Sequence, residues 1–233
     1  MKNIALILTF FLCFGCKNNH RDVNTAQVKT SGHEHHNDTR SEHSSANEHM
    51  HQSSVEKLIE RFESPERDAY QQPQKVLGFL GDLQGQTIMD IGAGSGYFSV
   101  KLAEKGAKVI AADVDEEFQE FLQRRIEKSN FESVVHILGK KLGHNRSFSM
   151  QMMCNTYHHI ENRPEYFTKV KKGTKPEGQL VIIDFFKSEI PVGPPLGHRL
   201  PIDVVVNELK KAGYNSFEVN VDLLPYQYII KAK

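Results

Sequence analysis

Asp90, Gly92, Gly94 and Gly96 form a D-x-G-x-G-x-G run, IMDIGAGSGY over 88–97, which ends an apolar stretch and opens a helical one. Glycines in such a loop let backbone amides approach a ligand closely, and the helix that follows offers it the positive end of its dipole. Ala93 lies inside the loop. A second acid, Asp113, follows Asp90 by 23 residues and ends the next apolar run, with Val114 beside it. An acid at that place accepts hydrogen bonds from both hydroxyls of a ribose. Asp115 reads differently, as the N-cap of a helix starting at Glu116. In a dinucleotide-binding G-x-G-x-x-G loop the third glycine would stand at position 97, which is Tyr97, so the spacing argues against a nicotinamide cofactor.

Two further groups carry titratable nitrogen. Asn155-Thr156-Tyr157-His158-His159-Ile160 follows an apolar run, and ligands of open α/β sheets gather at such strand ends. His158 is the candidate for substrate contact, while His159 is divided between packing and chemistry. Further on, residues 191–201 (PVGPPLGHRLP) follow Asp184 and carry His198 and Arg199. Proline restricts this segment, which reads either as a rigid wall over a site or as a plain connection.

These residues need a frame, and from Thr87 onward short apolar runs alternate with amphipathic stretches, as in βαβ units around a parallel sheet. Strands are expected at 87–91, 108–113, 134–138, 150–155, 179–185, 217–221 and 226–231. Helices are expected at 96–105, 116–128, 164–172 and 201–212, with two more before the sheet at 55–62 and 73–80. The last two strands are joined by a short turn, whereas a parallel crossover takes a dozen or more residues. The final strand should therefore run antiparallel to its neighbour.

The loop, Asp90 and Asp113 resemble the first motifs of class I S-adenosylmethionine-dependent methyltransferases. The resemblance covers 55–233. It implies an α/β Rossmann-like three-layer sandwich, whose mostly parallel seven-stranded sheet has one antiparallel strand near the C-terminus. It also implies that S-adenosylmethionine is held by Asp90, Gly92, Ala93, Gly94, Gly96, Asp113 and Val114, and that helices before the sheet cap the cleft. Methyl transfer to a small-molecule acceptor would follow, with His158 or His198 as the base. Members of this family commonly carry an acid after the third strand and another at the start of the fourth. Here those places read Gly139-Lys140-Lys141-Leu142-Gly143-His144 and Phe148-Ser149-Met150. The departure leaves a second reading open, a membrane-tethered protein that keeps the fold without catalysis.

The rest of the chain bounds its surroundings. Of 233 residues 39% are hydrophobic and 25% charged, values of a single globular domain with appendages. Lys plus Arg and Asp plus Glu number 29 each, so no basic excess marks a nucleic-acid partner. The start reads Lys2, an apolar run over 4–14, then Gly15 and Cys16, the layout of a secretory signal too short to span a bilayer, which takes roughly 20 residues. It resembles a bacterial lipoprotein signal, which implies lipidation of Cys16 and an exported protein anchored to the cell envelope. Residues 17–54 are polar, an expected disordered linker, and hold seven of the twelve histidines. Among these, His33, His35 and His36 could hold Zn, Cu or Ni, although a solvated linker is the plainer reading.

Overall fold

The computed structural model describes residues 47, 53–129, 133–138 and 147–233. Cys16, the signal, His33, His35, His36 and the lysine-rich segment over 139–146 lie outside the described residues.

Ahead of the sheet stand the short helices α1 (Val55–Phe62), α2 (Pro65–Gln71) and α3 (Pro73–Leu80). Then come β1 (Thr87–Ile91), α4 (Tyr97–Glu104), β2 (Lys108–Asp113), α5 (Glu116–Ser129), β3 (Val134–Leu138) and β4 (Phe148–Cys154). A 3-10 turn at Tyr157–His159 leads into α6 (Arg163–Lys172) and β5 (Thr174–Phe185). A second one at Leu196–His198 precedes α7 (Ile202–Lys211), β6 (Phe217–Asn220) and β7 (Gln227–Ala232). The strands form one seven-stranded sheet in the order β3-β2-β1-β4-β5-β7-β6. All neighbours are parallel except β7, which runs antiparallel to both β5 and β6, as the short final connection requires.

The central strands are apolar along their length because both faces are covered. Alternate residues enter two separate cores. Ile88, Val109, Ala111, Val181 and Ile183 pack with Leu77, Leu80, Phe98 and Leu122 on the side of α3, α4 and α5. Met89, Ile110, Leu180, Ile182 and Ile230 pack with Phe167, Val205 and Leu209 on the side of α6 and α7. This is the expected three-layer sandwich.

Two elements differ from expectation for local reasons. β5 begins at Thr174 rather than at 179, because a register shift between Phe148 and Met150 lets the β4–β5 ladder absorb Pro176 and Gly178, which read as breakers in sequence. Helix α2 has no apolar periodicity. Its signal was the start: Ser64 accepts a hydrogen bond from the Arg67 amide at 3.3 Å, and Pro65 occupies the first helical position.

The strand order reverses between β1 and β4, and ligands of open α/β sheets bind in the crevice beyond the C-terminal ends of such strands. Asp90 and the glycine loop stand on one side of that crevice, Cys154, Asn155 and Thr156 on the other.

Candidate active site

The glycine loop turns three times through left-handed backbone, at Gly92 (φ 70°), Gly94 (φ 54°) and Gly96 (φ 79°). A Cβ on Gly92 would stand 2.4 Å from Thr156 Cγ2, and one on Gly96 would stand 2.4 Å from Leu122 Cδ1. Glycine is thus required by conformation and by space at both places. At Gly94 the nearest atoms to such a Cβ belong to the Phe62 ring, at 3.6 Å, so the end of α1 covers the loop.

Asp90 is buried, and Ser99 Oγ donates to its Oδ2 at 2.6 Å. Burial raises its carboxyl to about 6, against the pull of the Ser99 hydrogen bond and the Arg67 charge. Asp113 holds the neighbouring turn: Gly94 N–H donates to its Oδ2 at 2.8 Å and Asp115 N–H to its Oδ1 at 3.0 Å. Burial also raises the Asp113 carboxyl. The Val114 amide also hydrogen bonds to this carboxyl, which, with about four lone-pair directions, keeps room for a further donor. Val114 beside it is 68% exposed, an apolar surface next to an acid. Asp115 caps α5 as expected, accepting from the Glu117 and Phe118 amides.

The loop is clasped from outside by residues that no motif announces. Glu63 Oε1 accepts from Ser95 Oγ and from Arg125 Nη1, both at 2.5 Å, while Arg125 also donates to the Ser95 carbonyl at 2.9 Å. Phe62 stacks on Phe118 of α5 with centroids 5.8 Å apart. These contacts bring the helices before the sheet over the cleft.

Across the crevice His158 is 4% exposed, and its Nδ1 lies 3.1 and 3.2 Å from the two Asp184 oxygens. Donation from Nδ1–H to that carboxylate fixes the tautomer with its lone pair on Nε2. His159 packs against the His158 ring at 4.2 Å and pairs through Nδ1 with Asn47 Oδ1 at 2.9 Å. His198 is half-buried on its 3-10 turn, at the close of a loop pinned by the buried Arg199, which donates to the carbonyls of Ser188, Val192 and Pro194. The proline-rich segment is therefore held in one conformation by Arg199. A cluster of amides, Gln71, Asn155 and Gln227, fills the ends of α2, β4 and β7, with Gln227 Nε2 donating to Asn155 Oδ1 at 2.5 Å. Cys154, the one described cysteine, is buried and its thiol is pushed up to about 12, which leaves it inert.

Residues 89–182 match the family described as the methyltransferase domain. A crystal structure of an S-adenosylmethionine-dependent methyltransferase from Aquifex aeolicus is 26% identical, covers 77% of this chain and 98% of its own, and superposes with a TM-score of 0.69. Residues 89–182 are thus similar to a methyltransferase domain. The cofactor of such a domain is S-adenosylmethionine, as the glycine spacing and Asp113 imply. Among curated proteins, ribosomal RNA small subunit methyltransferase A of Mesoplasma florum is 36% identical over 58 residues, 25% of this chain and 22% of that protein. Protein-L-isoaspartate O-methyltransferase of Aeropyrum pernix is 34% identical over 67 residues, 28% of this chain and 26% of that protein. The chain thus matches about a quarter of these relatives' length.

The residues present fit that cofactor at named points. The loop at Gly92 to Gly96 leaves backbone within reach of a ligand. Asp113 keeps acceptor capacity for ribose hydroxyls, and exposed Val114 offers an apolar surface for the adenine. Among the described residues no group of three or more His, Cys, Asp or Glu could hold a metal ion, and no helix is long and apolar enough to cross a membrane.

Proposed function

We propose that this chain transfers a methyl group from S-adenosylmethionine to a small-molecule acceptor, with His158 as general base and Asp184 as its orienting partner. The observation that carries the reading is the buried His158–Asp184 pair, which stands at the crevice edge opposite the Asp90 to Asp113 constellation. When bound, the cofactor supplies an electrophilic methyl group on its sulfonium. The residues of the chain do the rest. Asp113 holds the ribose end, the glycine loop and Asp90 face the amino-acid end, and the α1–α2 region shields the cleft from water. His158 Nε2 takes the proton of an acceptor hydroxyl or ammonium, and Asp184 stabilises the imidazolium so formed. An intact pair of this kind favours catalysis over a fold retained without it. The N-terminal segment completes the proposal, placing the domain outside the cytoplasm on a lipid at Cys16, with the polar residues 17–54 as tether.

The test is release of S-adenosylhomocysteine, with labelled methyl followed into products, when the full chain is incubated with labelled S-adenosylmethionine and pooled small-molecule acceptors. Transfer is expected. His158→Ala should slow it by about 10²-fold or more while cofactor binding persists. Asp113→Ala should weaken cofactor binding by about 10-fold to 100-fold, as loss of hydrogen bonds to a charged group implies. No transfer above the heat-inactivated control would contradict the reading.

A further inference from the structure

The turn that carries His158 is short and weakly held by its own backbone. It follows Asn155, whose backbone is left-handed (φ 58°). Its bonds are those of a single 3-10 turn, His159 N–H to the Thr156 carbonyl at 2.9 Å and Ile160 N–H to the Tyr157 carbonyl at 3.2 Å. Hydrogen bonds of that kind have poor geometry. Asp184 fixes the His158 ring at Nδ1, yet the backbone beneath the ring needs an anchor as well.

That anchor is a cluster on the α6 and α7 side of the sheet. Tyr157 is fully buried, its ring is stacked on Phe167 with centroids 5.0 Å apart, and its hydroxyl donates to Glu208 Oε2 at 2.7 Å. Burial, and after it the Glu208 charge, raises this hydroxyl well above its ordinary range, so it remains a donor. Arg163, the first residue of α6, forks onto the same carboxylate, Nε to Oε2 at 2.7 Å and Nη2 to Oε1 at 2.9 Å. Its Nη1 donates to the Ile160 carbonyl at 3.2 Å. The Tyr157 side chain and the Ile160 carbonyl, one at each end of the turn, are thus tied to one ion pair, and His158 lies between them.

The pair is largely out of solvent, with Arg163 6% and Glu208 17% exposed. Buried ion pairs are weak devices for stability, since apolar residues of similar volume often serve as well. A bidentate fork does fix direction and distance. Position matters at this place, because misplacing a reacting group by about 1 Å costs about 100-fold in rate.

We propose that Glu208 is a positioning residue for His158, acting through Tyr157 and Arg163 to set where the imidazole stands. The assignment rests on the reading of His158 as general base and extends the site to α7, the helix that follows the loop carrying His198.

The experiment compares the full chain with Tyr157→Phe, Glu208→Ala and Glu208→Gln in three measurements. These are methyl transfer to the acceptor pool at saturating S-adenosylmethionine, calorimetric titration with S-adenosylhomocysteine, and the proton resonance of His158 Nδ1–H, assigned by its loss in His158→Ala. Tyr157→Phe should lower turnover by about 10-fold and Glu208→Ala by about 100-fold, the scale of a displaced base. Glu208→Gln, which keeps the length and one acceptor oxygen, should recover part of the loss. Cofactor affinity should stay within about 2-fold throughout, as for a site that shares no partner with the glycine loop. The His158 resonance should shift or broaden in step with turnover. Should Glu208→Ala not fold, Tyr157→Phe carries the test, because it keeps the ring stack and the ion pair. Native turnover in Tyr157→Phe and Glu208→Gln would overturn the assignment, as would lost turnover with the His158 resonance unmoved, the mark of a structural role only. If the native chain transferred no methyl group, the methyltransferase reading would fall, whereas the resonance would still decide whether the cluster holds His158 in place.

Discussion

At the scale of single residues the site is defined by acids whose burial is costly. Asp90 titrates near 6 in the folded chain, against about 3.9 for an unperturbed aspartate. Between those values the folded state holds a proton that the unfolded state has released. The contribution of Asp90 is therefore favourable at low pH and is lost as pH rises from about 4 through about 6, an effect of about 2 to 3 kcal/mol. Comparing urea denaturation of the native chain and Asp90→Asn across pH 4 to 7 measures it, since the variant lacks this slope. Cofactor binding should run the other way. An ammonium requires the ionised acid, so affinity for S-adenosylhomocysteine should fall below pH 6, approaching tenfold per unit, and Asp90→Asn should flatten that profile. The pair Asp90 and Asp113 was legible from sequence because Asp90 leads the glycine loop and Asp113 ends the next apolar run 23 residues on. Glu63 and Glu208 were not, because their meaning comes from contacts with Ser95, Arg125, Tyr157 and Arg163 that lie about 30 residues or more away along the chain.

At the scale of elements, the glycines separate conformation from space. Gly92→Ala places a methyl 2.4 Å from Thr156, in backbone that L side chains rarely adopt, and should cost about 2 to 4 kcal/mol. Gly94→Ala meets only ordinary contact with the Phe62 ring at 3.6 Å, so its cost should be nearer 1 kcal/mol, the left-handed backbone alone. Denaturant unfolding of the two variants checks the order, and equal destabilisation would show that crowding by Thr156 is not what demands glycine. Strands and helices with strong period or length were read correctly in kind. α2 was not, because a seven-residue polar helix has no periodicity to show and survives by its Ser64 cap, Pro65 and the packing of its buried residues. The early start of β5 was hidden by Pro176 and Gly178, residues that sequence reasoning assigns to turns and a bulged ladder can carry.

At the scale of the whole molecule, the sheet follows from a few long-range rules. Four parallel neighbouring pairs come from βαβ alternation, and the reversal at β7 comes from a connection too short for a crossover. That order creates the switch point between β1 and β4, where the glycine loop, Asp113 and the His158–Asp184 pair gather. The helices before the sheet complete the arrangement, Phe62 over the loop and Glu63 on Ser95. The acceptor is not legible for a physical reason: the motifs specify the groups that touch the cofactor, whereas loops such as 187–201 carry no fixed spacing that would name an acceptor. The central claim is that this cleft selects S-adenosylmethionine over a dinucleotide. Parallel calorimetric titrations of the full chain with S-adenosylhomocysteine and with NAD test it most directly. One equivalent of S-adenosylhomocysteine should bind with measurable heat and NAD should give none, whereas silence toward S-adenosylhomocysteine, or tighter binding of NAD, would contradict the account.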